Sequence, residues 1–379
     1  MHLSRLSLHD FRSYEAADIA LQPGVTAVIG LNGQGKTNLV EAIHYLAHQR
    51  SHRVAKDLPL VRAGKSSAVI GARVEWRDRE QTIELEVNAK GANRARVAGA
   101  PRRPREALGV VRSVIFAPED LALVKGEPGV RRRFIDDLLV SLTPRFAGIL
   151  TDYERVARQR TALLKSVAGS WRRDNSYQDT LAVWNDQLAR LGAEVTGARL
   201  DLLDRLTRPV GEAYATVAPD AGELQVNYES SWLDTSGQLD AAALNAAMHH
   251  AIAEHSRAEL ERGMTLIGPH RDDLLLTLGG LPAKGYASHG ESWSVALALR
   301  LATYNLQRES FDAGGDPILL LDDVFAELDS SRRARLAAVA VQAEQVIVTA
   351  AVAADVPTEL LGRELSVERT SEGVSRARW

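Results

Sequence analysis

A glycine-rich segment joins an apolar run at residues 25–29 to a helix-like pattern at residues 38–47. Its eight residues fit the pattern G-x-x-x-x-G-K-[ST] and are, in order, Gly30, Leu31, Asn32, Gly33, Gln34, Gly35, Lys36 and Thr37. A loop between a buried strand and a helix N-terminus turns its backbone N–H groups toward a polyphosphate. Lys36 would reach the β and γ oxygens, and the Thr37 hydroxyl would bind Mg²⁺. The alternative is a glycine-rich turn with a solvated lysine.

A second apolar run, at residues 317–321, ends in the pair Asp322 and Asp323. A carboxylate at the carboxyl end of a buried strand is how nucleotide hydrolases hold Mg²⁺ beside the phosphates. We expect Asp322 to serve the metal and Asp323 to orient or activate water. Together with Lys36 they form the predicted catalytic set, which requires the two ends of the chain to meet.

Three residues that open a helix-like segment, Ser288, Gly290 and Glu291, match the pattern S-x-G-[QE]. This pattern resembles the signature of the ATP-binding-cassette ATPases, and residues 327–329 resemble their D-loop. Residues 8–14 are similar to the opening of the DNA-maintenance branch of that superfamily. Further blocks resemble the RecF family of bacterial recombination mediators, in the order of that family, and they lie at residues 116–121, 131–136 and 268–274.

The resemblance implies that residues 30–37 hold ATP, that Arg12 and Asn32 line the phosphate site, and that Asp322 and Asp323 serve Mg²⁺ and water. It also implies that Ser288, Gly290 and Glu291 contact the γ-phosphate held by a second copy, so that ATP drives formation of a homodimer. A slow, DNA-stimulated ATPase would then act as a switch. Its DNA would be gapped or a single-strand to double-strand junction, and its partners would be the RecR and RecO mediators that help load RecA.

Four departures from the superfamily pattern bear on this expectation. Asp323 stands where a glutamate is usual, and its shorter side chain predicts slow hydrolysis. Thr349 stands where many relatives have a switch histidine, and the signature ends in Glu291 instead of glutamine. No Q-loop glutamine is identifiable, and residues 116–121 occupy that region.

Hydrophobic patterning predicts an α/β fold, and the resemblance makes it an ATP-binding-cassette type head with a mixed sheet covered by helices. Residues 1–130 and 264–379 would form the head, and residues 131–263 an inserted all-helical lobe. Within the lobe, a seven-residue apolar period predicts a helix packed along a partner helix, more often inside the molecule than against another protein. Alternating patterns predict antiparallel strands within residues 67–97 and further strands at residues 264–267 and 274–278.

Several charged groups leave alternatives open. Residues 93–112 form a predicted basic loop, either a DNA-backbone contact or a solvated loop; its candidate DNA-binding residues are Arg94, Arg96, Arg102, Arg103 and Arg105. The arginines at 131–133 could pair with Asp136 or Asp137. His270 and Arg271 could contact DNA or a phosphate, or stabilise a turn, and the histidines at 249, 250 and 255 lack a metal-ligand spacing.

Composition bounds the class of protein. The 379 residues carry a net charge of −3 and include 45% hydrophobic residues and no cysteine, which excludes disulfides, thiolate zinc sites and a cysteine nucleophile. The N-terminal residues alternate like a strand, and no apolar run is long enough to span a membrane, so we expect a soluble, cytoplasmic protein. The ATPase subunit of a membrane transporter is the main alternative, disfavoured by the long insertion. A chromosome-organising head would need a far longer coiled coil.

Overall fold

In the described part of the chain, the two ends combine into one mostly parallel sheet beside an antiparallel one. The computed structural model describes residues 1–77, 79–169, 176–219, 221–234, 239–311 and 315–379. The strands are β1 (His2–Phe11), β2 (Tyr14–Ala20), β3 (Gly24–Ile29), β4 (Ser67–Trp76), β5 (Arg79–Asn88), β6 (Arg94–Val97), β7 (Ala100–Arg102), β8 (Ser113–Phe116), β9 (Leu224–Glu229), β10 (Asp273–Leu278), β11 (Leu281–Pro282), β12 (Ile318–Asp322), β13 (Gln345–Ala350), β14 (Arg363–Arg369) and β15 (Ser375–Arg378). The helices are α1 (Lys36–His48), α2 (Leu121–Lys125), α3 (Pro128–Leu142), α4 (Phe146–Val167), α5 (Gln178–Val217), α6 (Ala241–Arg262), α7 (Ala283–Tyr286), α8 (His289–Ser310) and α9 (Ser330–Ala340).

The mostly parallel sheet has the order β15-β14-β3-β13-β12-β8, and only its β14–β15 pair is antiparallel. Every residue of β12 and β13 is buried, as expected for strands covered on both faces. The register places Asp322 opposite Thr349, and Thr349 opposite Val28. The carboxyl ends of β3, β12 and β13 therefore meet at one edge, and the predicted mixed sheet is confirmed.

Successive side chains of β12 enter two different cores, because a strand alternates its side chains between the faces of a sheet. Leu319 and Leu321 pack in the core that includes Leu297 of α8. Ile318 and Leu320 pack in the core that includes Ile43 of α1 and the inner face of the antiparallel sheet. The sheet is thus held between α8 and α1, the helices that follow the signature residues and the glycine-rich segment.

The antiparallel sheet has the order β2-β1-β4-β5-β6-β7. The antiparallel strands predicted within residues 67–97 are confirmed as β4, β5 and β6. The predicted basic loop was wrong in part, because Arg94, Arg96 and Arg102 lie on the hairpin β6–β7 at the edge of this sheet. Pairing with β5 places Arg94 opposite Glu86 and Arg96 opposite Glu84, which neutralises some of the charge.

Helix α5 runs between α4, α6 and α8 and is buried along one stripe. The predicted seven-residue period is confirmed as intramolecular packing: Leu188 and Val195 share a core with Met248 of α6, and Leu202 shares a core with Leu297 of α8. One long helix thus joins the helical region to the core under the parallel sheet. Within the described ranges, no helix combines the length and apolar composition needed to cross a bilayer.

Two predictions about strands need correction. The inserted region is not all-helical, because β9 alternates buried and exposed side chains and pairs antiparallel with β10. Residues 264–267 are not a strand. Backbone groups of this segment are hydrogen-bonded to side chains instead of to a neighbouring strand. Leu266 N donates to the Glu259 carboxylate, and the Arg271 side chain donates to the carbonyl of Thr265. The division of the chain into a head and a lobe at residues 131 and 263 stays a prediction.

Candidate nucleotide site

The glycine-rich loop (residues 30–37) leaves β3 and enters α1 at the carboxyl edge of the parallel sheet. Gly35 caps the helix with φ 117°, a conformation that favours glycine. A Cβ at Gly30 would lie 2.2 Å from the Val367 carbonyl oxygen, and one at Gly35 would lie 2.4 Å from Ser375 Oγ. The loop is therefore packed against the C-terminal hairpin β14–β15: close approach requires a glycine at position 30, and close approach and backbone angle together require one at position 35.

Two threonines hold Asp322 at the end of β12. Thr37 Oγ1 donates to Asp322 Oδ1 at 3.1 Å, and Thr349 Oγ1 donates to the same oxygen at 2.7 Å. The Thr349 hydroxyl also accepts the Asp323 N–H at 2.9 Å, while Lys36 Nζ lies 3.9 Å from Asp323 Oδ1. The predicted catalytic residues Lys36, Asp322 and Asp323 thus lie together with Thr37 at one edge.

The charges of this edge suit a metal-bound polyphosphate. Burial raises the pKa of Asp322 to about 6; the hydrogen bond from Thr349 opposes this rise, and the charge of Asp323 adds to it. A bound cation would favour the ionised form of this buried carboxylate. Lys36 is only 4% exposed, so a buried ammonium faces the same space. A buried carboxylate beside a threonine hydroxyl is a donor set that fits Mg²⁺.

Arg12 and Asn32, predicted to line the phosphate site, lie in different surroundings. Asn32 Oδ1 accepts a long hydrogen bond from Lys36 Nζ at 3.5 Å. The Arg12 guanidinium is held by both carboxylate oxygens of Glu41, at 2.8 and 2.6 Å. Glu41 is fully buried on α1 and also accepts from Ser51. Arg12 therefore braces α1 and the segment after it, and its predicted phosphate contact stays a prediction.

The signature residues lie at the N-terminus of α8. Ser288 is exposed and forms a capping box with Glu291: the Glu291 N–H donates to Ser288 Oγ at 3.2 Å, and Glu291 accepts the Ser288 N–H at 2.8 Å. Hydrogen bonds from the side chain and the backbone N–H of Ser288 to the Glu291 carboxylate hold the pKa of Glu291 below its usual range. A Cβ at Gly290 would lie 3.1 Å from the guanidinium of Arg332. Among the described residues, no hydrogen bond or ion pair joins this cap to the glycine-rich loop of the same chain.

A cluster of three histidines, two on α1 and one just after it, was not predicted from the sequence. His44, His48 and His52 are spaced by four residues, with ring centroids 4.4 Å apart for the first pair and 5.2 Å for His44 and His52. Burial lowers the pKa of His52 to about 4, and its Nε2 lies 4.0 Å from Asp322 Oδ2. The repeated spacing of four was a signal in the sequence. In the described ranges, no three histidine, aspartate or glutamate side chains are arranged to hold a metal ion.

The candidate DNA-binding arginines lie together on one edge hairpin and the turn after it. Arg94 and Arg96 face acids at 3.6 and 4.0 Å, whereas the exposed remainder of the set consists of Arg102, Arg103 and Arg105. Arg112, which belongs to the same predicted basic loop, is buried 3.7 Å from the ring centroid of Phe311.

The other charged groups pair differently from the sequence expectation. Arg131 binds Asp273 at 2.6 Å, not the insertion acids, because Asp136 is held by Arg199 and Asp137 by Arg50. His270 Nδ1 lies 2.6 Å from the Tyr153 hydroxyl within a turn. His249 and His250 have exposed side chains, at 43% and 74%.

Fold and site together define an ATPase head of the class formed by the N-terminal domains of RecF, RecN and SMC proteins. The family model described as "RecF/RecN/SMC N terminal domain" matches residues 2–362. A solved SMC head with an extended coiled coil from Pyrococcus furiosus shares the fold at a TM-score of 0.55 and 18% identity, covering 100% of this chain and 96% of that one.

The chain belongs to the RecF family of DNA replication and repair proteins. It is 52% identical to the RecF of Kineococcus radiotolerans, covering 99% of both chains. It is 53% identical to that of Streptomyces avermitilis, over 98% of this chain and 99% of the relative. A solved structure of the recombination mediator RecF with ATP, in the RecFOR pathway, matches at TM-score 0.88 and 25% identity, covering 100% of this chain and 97% of that one.

Proposed function

We propose that this protein is a cytoplasmic, ATP-dependent DNA-binding mediator of recombinational repair. ATP would join two copies, the closed dimer would grip DNA, and slow hydrolysis would release it. The observation that carries the proposal is the division of the site. Lys36, Thr37 and the two aspartates gather at one sheet edge, while Ser288 is exposed at a separate helix end. Relatives described as DNA replication and repair proteins, and a solved RecF with ATP, support it.

The glycine-rich loop would hold the phosphates of ATP through its backbone N–H groups, and Lys36 would contact the β and γ oxygens. Thr37 and Asp322 would hold Mg²⁺, which neutralises charge on the transferring phosphoryl group. Asp323 would orient the attacking water. Its side chain is 35% exposed and lies near Lys36, and it is shorter than a glutamate. We therefore expect slow hydrolysis, as a switch requires.

The signature cap would contact the γ-phosphate held by a second copy. In the capping box the Ser288 oxygen accepts the Glu291 N–H, and its hydroxyl hydrogen would turn from the Glu291 carboxylate to the γ-phosphate. The N-terminus of the 22-residue α8 adds partial positive charge, and Gly290 leaves room for close approach. Because ATP would bind the dimer better than the monomer, linkage requires ATP to shift the population toward dimer.

The DNA would be gapped or a junction of single and double strands, and the partners would be RecO and RecR, supporting the loading of RecA. The exposed arginines of the edge hairpin are the candidate contacts to the DNA backbone. The description of the solved relative as a mediator in the RecFOR pathway supports this assignment. Arg94 and Arg96 would contribute less, because Glu86 and Glu84 face them.

Analytical ultracentrifugation with and without Mg-ATP tests the proposal on three variants. Lys36→Ala should abolish both ATP binding and dimerisation, because it removes the buried ammonium. Ser288→Arg should bind ATP normally and remain monomeric, because the longer side chain blocks the opposing copy. Ser166→Arg, at an exposed position on α4, is the matched control and should dimerise like the wild type. A Ser288→Arg protein that still dimerised with ATP would refute the shared site.

A further inference from the structure

The imidazole of His52 lies buried beside the metal-side carboxylate without a hydrogen-bond partner. Its side chain is 8% exposed, and Nε2 is 4.0 Å from Asp322 Oδ2. Neither ring nitrogen of His52 makes a hydrogen bond to any described residue. Buried polar groups in native proteins nearly always have a partner, so an unpaired ring at this place requires an explanation.

The gap between His52 and Asp322 is too long for a direct hydrogen bond. The ring also borders a cavity of about 100 Å³ that His44 and Arg300 help to line. Asp322 does not line this cavity, and both ring nitrogens of His52 are closed to solvent, so a bridging oxygen requires a small shift of the ring. After that shift, an oxygen of a bound ligand or of its water would satisfy the unused hydrogen-bonding capacity of His52 beside Asp322 Oδ2.

The position of His52 is fixed by the helix that carries the phosphate-binding residues. Ser51 Oγ donates to Glu41 and accepts the backbone N–H groups of Arg53 and Val54, at 3.0 and 3.1 Å. Glu41 is itself fully buried and held by Arg12. The turn that presents His52 is thus tied to α1, so the ring keeps a defined orientation relative to Lys36 at the start of that helix.

Thr349 cannot take the same role. Its hydroxyl donates to Asp322 Oδ1 and accepts from the Asp323 N–H, so both of its functions are used. Thr37 also donates to Asp322 Oδ1. The second oxygen, Asp322 Oδ2, faces His52 instead. His52 is therefore a side chain with unused hydrogen-bonding capacity beside the second oxygen of this buried carboxylate.

We propose that His52 contacts the γ-phosphate end of bound ATP, either at a γ oxygen or at a water between that oxygen and Asp322, and so distinguishes ATP from ADP. This inference rests on the proposed ATP-binding function. In phosphoryl-transfer sites the loop amides hold the inner phosphates, and the metal bridges the β and γ oxygens. A ring beside the metal-side carboxylate thus lies where ATP and ADP differ.

Equilibrium titrations with Mg-ATPγS and with Mg-ADP test this proposal. His52→Leu removes both nitrogens and fills the space, and apolar replacement of an unpaired polar group is well tolerated. We expect its ATPγS affinity to fall about 10- to 100-fold, the loss of one hydrogen bond to a charged group, with ADP affinity within about twofold of wild type. His52→Gln retains a hydrogen-bond donor and should recover part of the loss. Should His52→Leu fail to fold, His52→Ala carries the same expectation.

His44→Leu is the matched control, because it removes a second buried imidazole from the same cavity that does not face Asp322. It should leave the ratio of ATPγS to ADP affinity unchanged. An unchanged ratio in the His52 variants, or an equal loss for both nucleotides, overturns the proposal. A wild-type protein that binds neither nucleotide would overturn the proposed function itself, and this outcome is distinguishable because the wild type fails.

Discussion

Replacing Thr349 by valine should destabilise the protein while keeping the branched shape of the side chain. Thr349 is 1% exposed and donates to Asp322 at 2.7 Å while accepting the Asp323 N–H at 2.9 Å. A hydrogen bond to a charged group contributes about 1.5–3 kcal/mol, and an unpaired buried N–H costs about 1–3 kcal/mol. Because one hydroxyl makes both bonds, the two terms are not additive, and we expect a total loss of about 2–4 kcal/mol.

The free energy of unfolding, measured by urea titration without nucleotide, checks this value. Thr349→Ser keeps both hydrogen bonds and loses one buried methyl group, so it should cost only about 1 kcal/mol. The expected order of stability is wild type, then serine, then valine. Burial of apolar surface and strand propensity would rank valine above serine. A valine variant as stable as the serine variant would therefore refute the reasoning.

Three further results are expected. Arg160→Met should lower the free energy of unfolding by about 3–5 kcal/mol in chemical denaturation, because it leaves the buried carboxylate of Glu259 without its cation. The control Arg158→Met breaks an exposed pair on one helix and should change this free energy by less than about 0.5 kcal/mol. Gly30→Ala should abolish nucleotide binding in calorimetry, because its Cβ would clash with the Val367 carbonyl. Normal binding would show that the hairpin β14–β15 moves enough to accommodate the added methyl group. Reversing the charge of three exposed arginines, Arg102, Arg103 and Arg105, should reduce the slope of DNA affinity against salt concentration. An unchanged slope would show that these arginines do not contact DNA.

Much of the site could be predicted because its parts are local in sequence. The glycine-rich loop is specified by its own glycines, by the apolar strand before it and by the helix pattern after it. Ser288 and Glu291 form a capping box within one turn, which the spacing of three residues already allows. Short-range geometry and hydrophobic period therefore predicted the strands and helices that carry these residues.

Long-range pairing explains the predictions that were wrong or missing. The prolines and charges of the arginine segment predicted a loop, but β6 pairs with β5 and with β7, so part of the segment is a hairpin. Arg131 is adjacent in sequence to acids of the insertion, yet its partner is Asp273. Strand β9 is too short and too isolated among helices to stand out, and its pairing with β10 stabilises it.

By itself the sequence determined the class of ligand, through the residue types of the glycine-rich loop and the two aspartates, and the α/β character of the chain's ends. Only the tertiary structure decided which side chains meet at the site. It placed Thr349 and His52 on either side of Asp322, and it packed Ser375 against Gly35. The physical reason is range: backbone angles and periodicity act over a few residues, whereas strand register and packing join residues hundreds of positions apart.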